Sequence, residues 1–208
     1  MSQANLAVDP HAAGVGEGSP FAIPSSKLVM WLFIISDAVT FGAFLFAYGY
    51  IRNASADWPT PLEHASIWNA LLMTFILVTS SLTILLAVRA AQNDDRSAAF
   101  KWTLITAAGG VLFAILHLRE WSSLIGEGVR MFQNPWGAPM FGATFFSITG
   151  LHMLHVIGGV IALTVVALTY KAGRYSAKHI EIWSLYWHFV DIVWIFLFAL
   201  LYLIGGRY

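Results

Sequence analysis

Five long apolar segments, separated by shorter polar stretches, dominate the pattern of this chain. A helix needs about 20 mostly apolar residues to cross a bilayer, and each segment is long enough to do so. Proline, glycine, asparagine and charged residues cluster in the breaks, as is typical where helices end. The pattern predicts an all-α fold, a polytopic membrane bundle of five transmembrane helices, with spans at about residues 28–51, 67–88, 100–118, 141–170 and 183–204.

The distribution of basic residues predicts how this bundle crosses the membrane. Residues 1–26 are mostly small and polar, so we expect a disordered tail, followed by the five-helix domain at residues 27–208. Of the 11 Lys and Arg residues, seven lie on the side of the tail, the second loop and the fourth loop, and four lie on the opposite side. Because basic residues accumulate on the cytoplasmic side, we expect a cytoplasmic N-terminus and a C-terminus outside.

Composition narrows the possible functions. The chain is 58% hydrophobic and 11% charged, whereas soluble domains contain about 25% charged residues. It has no cysteine, which excludes disulfides, thiolate metal sites and iron–sulfur clusters. Its formal net charge is zero, so nothing in the charge balance indicates a nucleic-acid partner.

Ionisable residues inside the spans are the first candidates for function, because a charge at membrane depth is costly and needs a partner or a role. Asp37 lies in span one, and His188 and Asp191 lie one helical turn apart in span five. Both spans start on the same side, so these groups should lie at similar depth. We expect Asp37 to face a histidine of a neighbouring helix, with His188 as the candidate. Two roles stay open: a proton-carrying site, or a hydrogen-bonded tie between helices.

Span four carries two further patterns. Small residues favour close approach of helix backbones, and four of them form one stripe: Ala143, Ser147, Gly150 and Gly158. Glycine pairs at residues 109–110 and 158–159 are interpreted as packing points. His152 and His155 lie together on another flank, and we expect them to hydrogen-bond to neighbouring helices, because a metal site needs more ligands than one such pair.

Span three ends in a polar cluster at residues 117–121, near the outer interface, where charged side chains are expected to reach water. Glu120 of this cluster is nevertheless a candidate for a buried polar tie. The full set of such candidates is His152, His155, His188, Asp191 and Glu120. No catalytic residue and no metal ligand is predicted, since no nucleotide-binding loop, zinc-protease helix or nucleophile elbow is present.

Four sequence blocks stand out along the spans: residues 31–37 (WLFIISD), 80–83 (SSLT), 149–156 (TGLHMLHV) and 187–191 (WHFVD), with Glu120-Trp121 as a weaker fifth point. Together they resemble subunit III of the heme-copper terminal oxidases. The blocks touch all five spans in the order of that family. The double-histidine block and the WHFVD block carry most of the specificity.

The resemblance implies a five-span bacterial form of this non-catalytic subunit, without the first two helices of the mitochondrial type. Such a chain binds no heme or copper of its own; it packs on subunit I, which carries both, in a complex with subunit II and small subunits in the bacterial inner membrane. The complex reduces oxygen to water and pumps protons, and a cytochrome c oxidase is favoured. Asp37 matches the family's acidic position in this helix, which implies support of proton uptake and of stability during turnover. Structural phospholipids between the helices are also implied.

Several alternatives stay open at this point. Within the oxidase group, the chain could belong to a ubiquinol oxidase or act as an accessory subunit of a nitric oxide reductase. A membrane cytochrome with bis-histidine heme would draw its ligands from His117, His152, His155 and His188. A proton or solute carrier would be built around Asp37 and Asp191, although five spans without an inverted repeat argue against it.

Overall fold

The computed structural model describes residues 24–56, 58–59 and 67–204, and this part of the chain is an α-helical bundle. All five helices are long and apolar enough to cross a membrane, which confirms the predicted fold class. Most of the predicted tail lies outside the described residues, but its last two serines belong to the first helix. The helices are α1 (Ser25–Ala54), α2 (Ile67–Gln92), α3 (Arg96–Gly126), α4 (Pro139–Lys171) and α5 (Ala177–Phe198), and a π-helical turn at Ala199–Leu203 continues α5.

Several helices extend beyond the predicted spans, because a helix does not end where its apolar character ends. The start of α3 is fixed by Asp95, whose side chain accepts a hydrogen bond of 2.9 Å from the backbone N–H of Ala98. The same helix continues to Gly126, well past the predicted end at Leu118. The polar cluster at residues 117–121 therefore lies within a helix and not at its frayed end.

The helices are arranged around α5. In the most apolar window of each helix, 61% of residues are buried in α5 but only 11% in α1, so α5 is central and α1 is peripheral. Helix α2 packs along α3, α3 along α4, and α5 closes the group by contacting α2 and α4. The main contacts of α1 are with α4 and α5. A salt bridge of 2.7 Å between Lys27 and Glu181 joins the N-terminal parts of α1 and α5.

Two glycines make room for the largest buried side chain of α5. The indole of Trp187 is fully buried, and its Nε1–H donates a hydrogen bond of 2.9 Å to the hydroxyl of Ser80 in α2. A Cβ atom at Gly110 of α3 would lie 2.5 Å from Cη2 of this indole, and one at Gly159 of α4 would lie 2.9 Å from its ring. Four helices therefore meet at one tryptophan.

The predicted small-residue stripe does not play this part within the chain. Its four members are half-buried or exposed. A Cβ atom at Gly150 would lie 3.5 Å from Trp121, and one at Gly158 would lie 3.8 Å from the Tyr186 hydroxyl, which are ordinary contact distances. Among the described residues the stripe makes no close approach to another backbone; the close approach of α4 lies one residue further on, at Gly159, and the expectation that the stripe packs against another helix stays a prediction. Residue size alone did not show which face of α4 points inward.

Replacing Gly159 by alanine tests whether the Trp187 indole needs the space beside Gly159. The added methyl group would lie 2.9 Å from the Trp187 ring, so we expect overpacking to cost about 1–3 kcal/mol. The measurement is the thermal unfolding midpoint of the purified protein in detergent. Gly158→Ala is the matched control: its methyl group has room, and alanine favours a helix over glycine, so its midpoint should stay equal or rise. Equal midpoints for both variants would contradict the role assigned to Gly159.

Candidate functional site

The closest pair of ionisable groups inside the bundle joins α1 to α4. Oδ2 of Asp37 lies 3.0 Å from Nε2 of His155, and both side chains are mostly buried. Asp37 is 12 residues from the start of α1, which places it about 18 Å along the helix. The carboxylate therefore faces a histidine on a neighbouring helix, as expected. Its partner, however, is His155 and not His188.

The second ring nitrogen of His155 determines how many protons this pair holds. Nδ1 lies 2.8 Å from the backbone carbonyl oxygen of Leu151, which can only accept, so Nδ1 carries a hydrogen. Nε2 then either donates to an ionised Asp37 or accepts from a protonated one. Both arrangements contain one shared proton. Losing it would leave a bare imidazole nitrogen beside a carboxylate, with no hydrogen between them.

Aromatic side chains enclose the Asp37–His155 pair on two sides. The ring of Phe41 contacts the imidazole edge-on at 5.2 Å between centroids, and Tyr186 stacks on it at 6.4 Å. The Tyr186 hydroxyl also donates a hydrogen bond of 3.0 Å to the backbone carbonyl of His155. Tyr186 borders an apolar groove of about 340 Å³ between α1, α4 and α5, whose wall includes Phe33 and Trp183. The pair thus lies next to a surface suited to hydrocarbon chains.

A second polar network joins α2 to α5. The Ser81 hydroxyl donates a hydrogen bond of 2.6 Å to Oδ2 of Asp191, and its oxygen lies 3.1 Å from Nδ1 of His188. Because the serine proton is used on Asp191, Nδ1 of His188 must be the donor to Ser81. His188 and Asp191 therefore share a face, as expected, but they converge on a serine. This geometry is the reason that His188 is not the partner of Asp37.

His152 faces the centre of the bundle. Its side chain is fully buried, and Nε2 donates across 3.1 Å to the backbone carbonyl of Val190 in α5. The imidazole packs against Phe113 and Trp194, with centroid distances of 5.6 and 5.2 Å. His152 and His155 thus have different partners although they are one turn apart.

The polar end of α3 corrects another expectation. Arg119 is exposed, as expected for an interfacial charge, but Glu120 is buried and His117 is fully buried. Oε2 of Glu120 lies 3.6 Å from Nδ1 of His117, on the inner face of the helix. The expectation that this whole cluster reaches water is wrong because α3 continues through it, so that residues three apart point into the bundle.

The histidines proposed as heme ligands are dispersed over separate contacts. His155 contacts Asp37, His188 contacts Ser81, and His117 lies against Glu120. Within the described residues, no group of three or more histidine, aspartate or glutamate side chains is placed to hold a metal ion. Two participants in these networks were not assigned their partners from the sequence: Ser81, which contacts both Asp191 and His188, and Tyr202, which lies beside Glu120. The only usable signal was their position on the same helical face as other polar residues.

Comparison with known proteins gives one consistent family. The model for cytochrome c oxidase subunit III matches residues 11–206. A cytochrome c oxidase subunit 3 of Thermostichus vulcanus is 35% identical over 181 residues, which cover 85% of this chain and 86% of the relative. One of Alkalihalophilus pseudofirmus is 30% identical, covering 86% of each. A probable quinol oxidase subunit 3 of Staphylococcus haemolyticus is 31% identical, covering 88% of this chain and 90% of the relative. This chain therefore belongs to the subunit III family of the heme-copper oxidases.

Proposed function

We propose that this chain is the non-catalytic subunit III of an aerobic respiratory oxidase, which packs directly on a subunit I that carries the heme and copper. The complex would also contain subunit II and small subunits, reduce oxygen to water and translocate protons across the bacterial inner membrane. Cytochrome c is the favoured electron donor, because more of the similar relatives are named for it. A quinol donor is the alternative, in line with the similar quinol oxidase subunit. An accessory role in a nitric oxide reductase is a further one.

The Asp37–His155 pair is the observation that carries the proposed role. It holds one proton between two mostly buried groups, 3.0 Å apart, and joins the peripheral helix α1 to α4. Both forms of the pair contain that proton, so Asp37 is a position at which a proton would be held inside the bundle. Asp37 would thereby support proton uptake by the catalytic subunit. His155 is the group through which the proton would pass.

Two further features agree with a subunit embedded in a larger complex. The apolar groove beside Tyr186 would hold a structural phospholipid chain. The small-residue stripe of α4, which lies at the periphery of this chain, stays a prediction for contact with a partner subunit.

The distribution of basic residues supports a cytoplasmic N-terminus, which would place the salt bridge between Lys27 and Glu181 on the cytoplasmic side.

Isolation of the tagged chain from its native membranes tests the complex. We expect it to co-purify with a heme-copper subunit I, and the isolated complex to consume oxygen with reduced cytochrome c. A pyridine hemochrome spectrum of the chain expressed alone should contain no stoichiometric heme. Stoichiometric heme that disappears in His152→Ala or His188→Ala would contradict the proposal and support a membrane cytochrome. Oxygen consumption with quinol but not with cytochrome c would identify the donor as quinol.

Substitution of Asp37 separates a proton role from a structural one. Asp37→Asn keeps the size and hydrogen-bonding capacity of the side chain but cannot exchange a proton. We expect normal assembly, with slower turnover at high pH, where protons are scarce, or faster inactivation during sustained turnover. Ser36→Ala is the matched control, because the exposed Ser36 hydroxyl bonds only to the backbone of its own helix, and it should behave as the parent.

Asp37→Leu provides the structural comparison. It leaves His155 without its partner, and removing one member of a buried ion pair costs about 3–5 kcal/mol. We therefore expect weaker attachment of α1 and reduced recovery of the subunit in the complex. If Asp37→Asn assembles and matches the parent in rate, pH profile and lifetime during turnover, the proton role is rejected and only the tie remains.

A further inference from the structure

An open cleft lies between the first turns of α2 and the last turns of α3. It has a volume of about 320 Å³. It lies at the face of the bundle where α2 begins and α3 ends, which we call the loop face. The walls contain both polar and apolar side chains. They are Trp68, Asn69, Leu72, Arg119, Glu120, Ser123 and Leu124.

Glu120 lines this cleft, and its side chain is buried in the bundle. Both of its carboxyl oxygens are buried and have no hydrogen-bond partner among the described residues. Both ring nitrogens of His117 and the hydroxyl of Tyr202 are likewise buried without a partner. These three side chains lie together: Glu120 is 3.6 Å from His117, and the Tyr202 hydroxyl interacts with the same carboxyl group without reaching standard hydrogen-bond geometry. We call them the Glu120 site.

Aromatic rings form the wall behind the Glu120 site. Phe113 stacks on the imidazole of His117 with centroids 5.7 Å apart, and Trp194 meets it edge-on at 5.6 Å. Trp121 packs on a third side at 5.3 Å. Such surroundings offer little solvation to a charge. Glu120 lines the cleft, which therefore offers a route by which water would approach its carboxyl group.

This environment determines the protonation of the site. An ionised Glu120 beside a neutral His117 would be a buried negative charge without a partner, which is strongly unfavourable. An ion pair would need good hydrogen-bond geometry to offset the loss of solvation, and the separation of 3.6 Å does not supply it. A carboxylic acid beside a neutral imidazole buries no charge. The unpartnered carboxyl oxygens of Glu120 are therefore the atoms of this site at which a proton would bind.

The backbone of α5 is adapted at the same place. Its regular helix ends at Phe198, and Tyr202 lies in the π-helical turn that follows. π-Helical turns are rare and often occur at functional sites, because the extra residue per turn changes the direction of the side chains. This turn places the Tyr202 hydroxyl beside Glu120, although the tyrosine is otherwise fully packed.

We propose that Glu120 is a proton-binding site that is separate from Asp37 and exchanges its proton with water at the loop face through this cleft. In the exchange step, a proton from water joins a carboxylate oxygen of Glu120 to give the carboxylic acid, and release is the reverse. The site belongs to this chain alone, so it would exist whether the chain joins a cytochrome c oxidase or another complex.

The groups around Glu120 come from four helices. His117 and Arg119 lie on α3 itself, and Tyr202 comes from the turn after α5. His152 of α4 lies behind His117, and α2 contributes only the uncharged Asn69. Arg119 lines the cleft but makes no salt bridge with Glu120 within the described part of the chain. Protons would therefore reach Glu120 past Arg119, Asn69 and Ser123.

Infrared spectroscopy of native membranes that contain the full chain tests the protonation. The C=O stretch of a protonated carboxylic acid is separate from the carboxylate bands. We expect such a band at neutral pH in the parent, its loss in Glu120→Gln and its retention in Glu181→Gln. Glu181 is the matched control because it is a partly exposed glutamate at the opposite end of the bundle, paired with Lys27. A spectrum of Glu120→Gln that retains every carboxylic acid band would overturn the proposal.

The rate of exchange tests the route. After transfer into deuterated water, the band shifts as the acidic hydrogen is replaced. Ser123→Trp would fill the cleft and should slow this shift roughly tenfold, the factor that an added barrier of about 1.4 kcal/mol produces. Ser122→Trp is the control, because Ser122 is exposed but does not line the cleft. This pair leaves Glu120 itself intact, so it is informative even if Glu120→Gln fails to assemble. Equal rates for the two variants would overturn the route.

Discussion

The position of Trp187 is the constraint on which the rest of the bundle depends. Its indole fills a slot bounded by Gly110 of α3 and Gly159 of α4, and its N–H is satisfied by Ser80 of α2. In a membrane, helices gain little from the hydrophobic effect when they associate, so close packing and internal hydrogen bonds decide their arrangement. A single rigid side chain that satisfies both requirements sets the distances between four helices. The residues that follow it in α5 are thereby brought to fixed neighbours.

The polar networks are consequences of that arrangement. With Trp187 in place, the next turn of α5 presents His188 and Asp191 to Ser81, while Val190 offers its carbonyl to His152. The two adjacent serines have different partners. Ser80 accepts a hydrogen bond from the Trp187 indole, and Ser81 donates one to the Asp191 carboxylate. Each buried polar group that is satisfied in this way removes a possible alternative packing of the helices.

The sequence was sufficient for the fold, since five apolar segments of spanning length leave few other solutions. The sequence was less informative about which polar side chains contact each other. Depth along a helix can be estimated from the rise per residue, and Asp37 and His188 have similar depth, but depth does not show how each helix is rotated. His155 was predicted to hydrogen-bond to a neighbouring helix, but its partner, Asp37, was not predicted. The burial of Glu120 was obscured because hydropathy ends a span at the first charges. The π-helical turn that contains Tyr202 breaks the 3.6-residue period on which facial assignments rest.

The limited burial of α1 within the bundle has a consequence for the biosynthesis of the chain. Asp37 and His155 are separated by 118 residues, which at about 5–20 residues per second corresponds to roughly 6–24 s of translation. During that time Asp37 of α1 has been made and His155 of α4 has not. An aspartate in the centre of a lone helix costs about 2.5–3.5 kcal/mol to insert, which the many apolar residues of α1 must offset. The first helix thus has to be tolerated by the lipid without its two main neighbours until α4 and then α5 have been made.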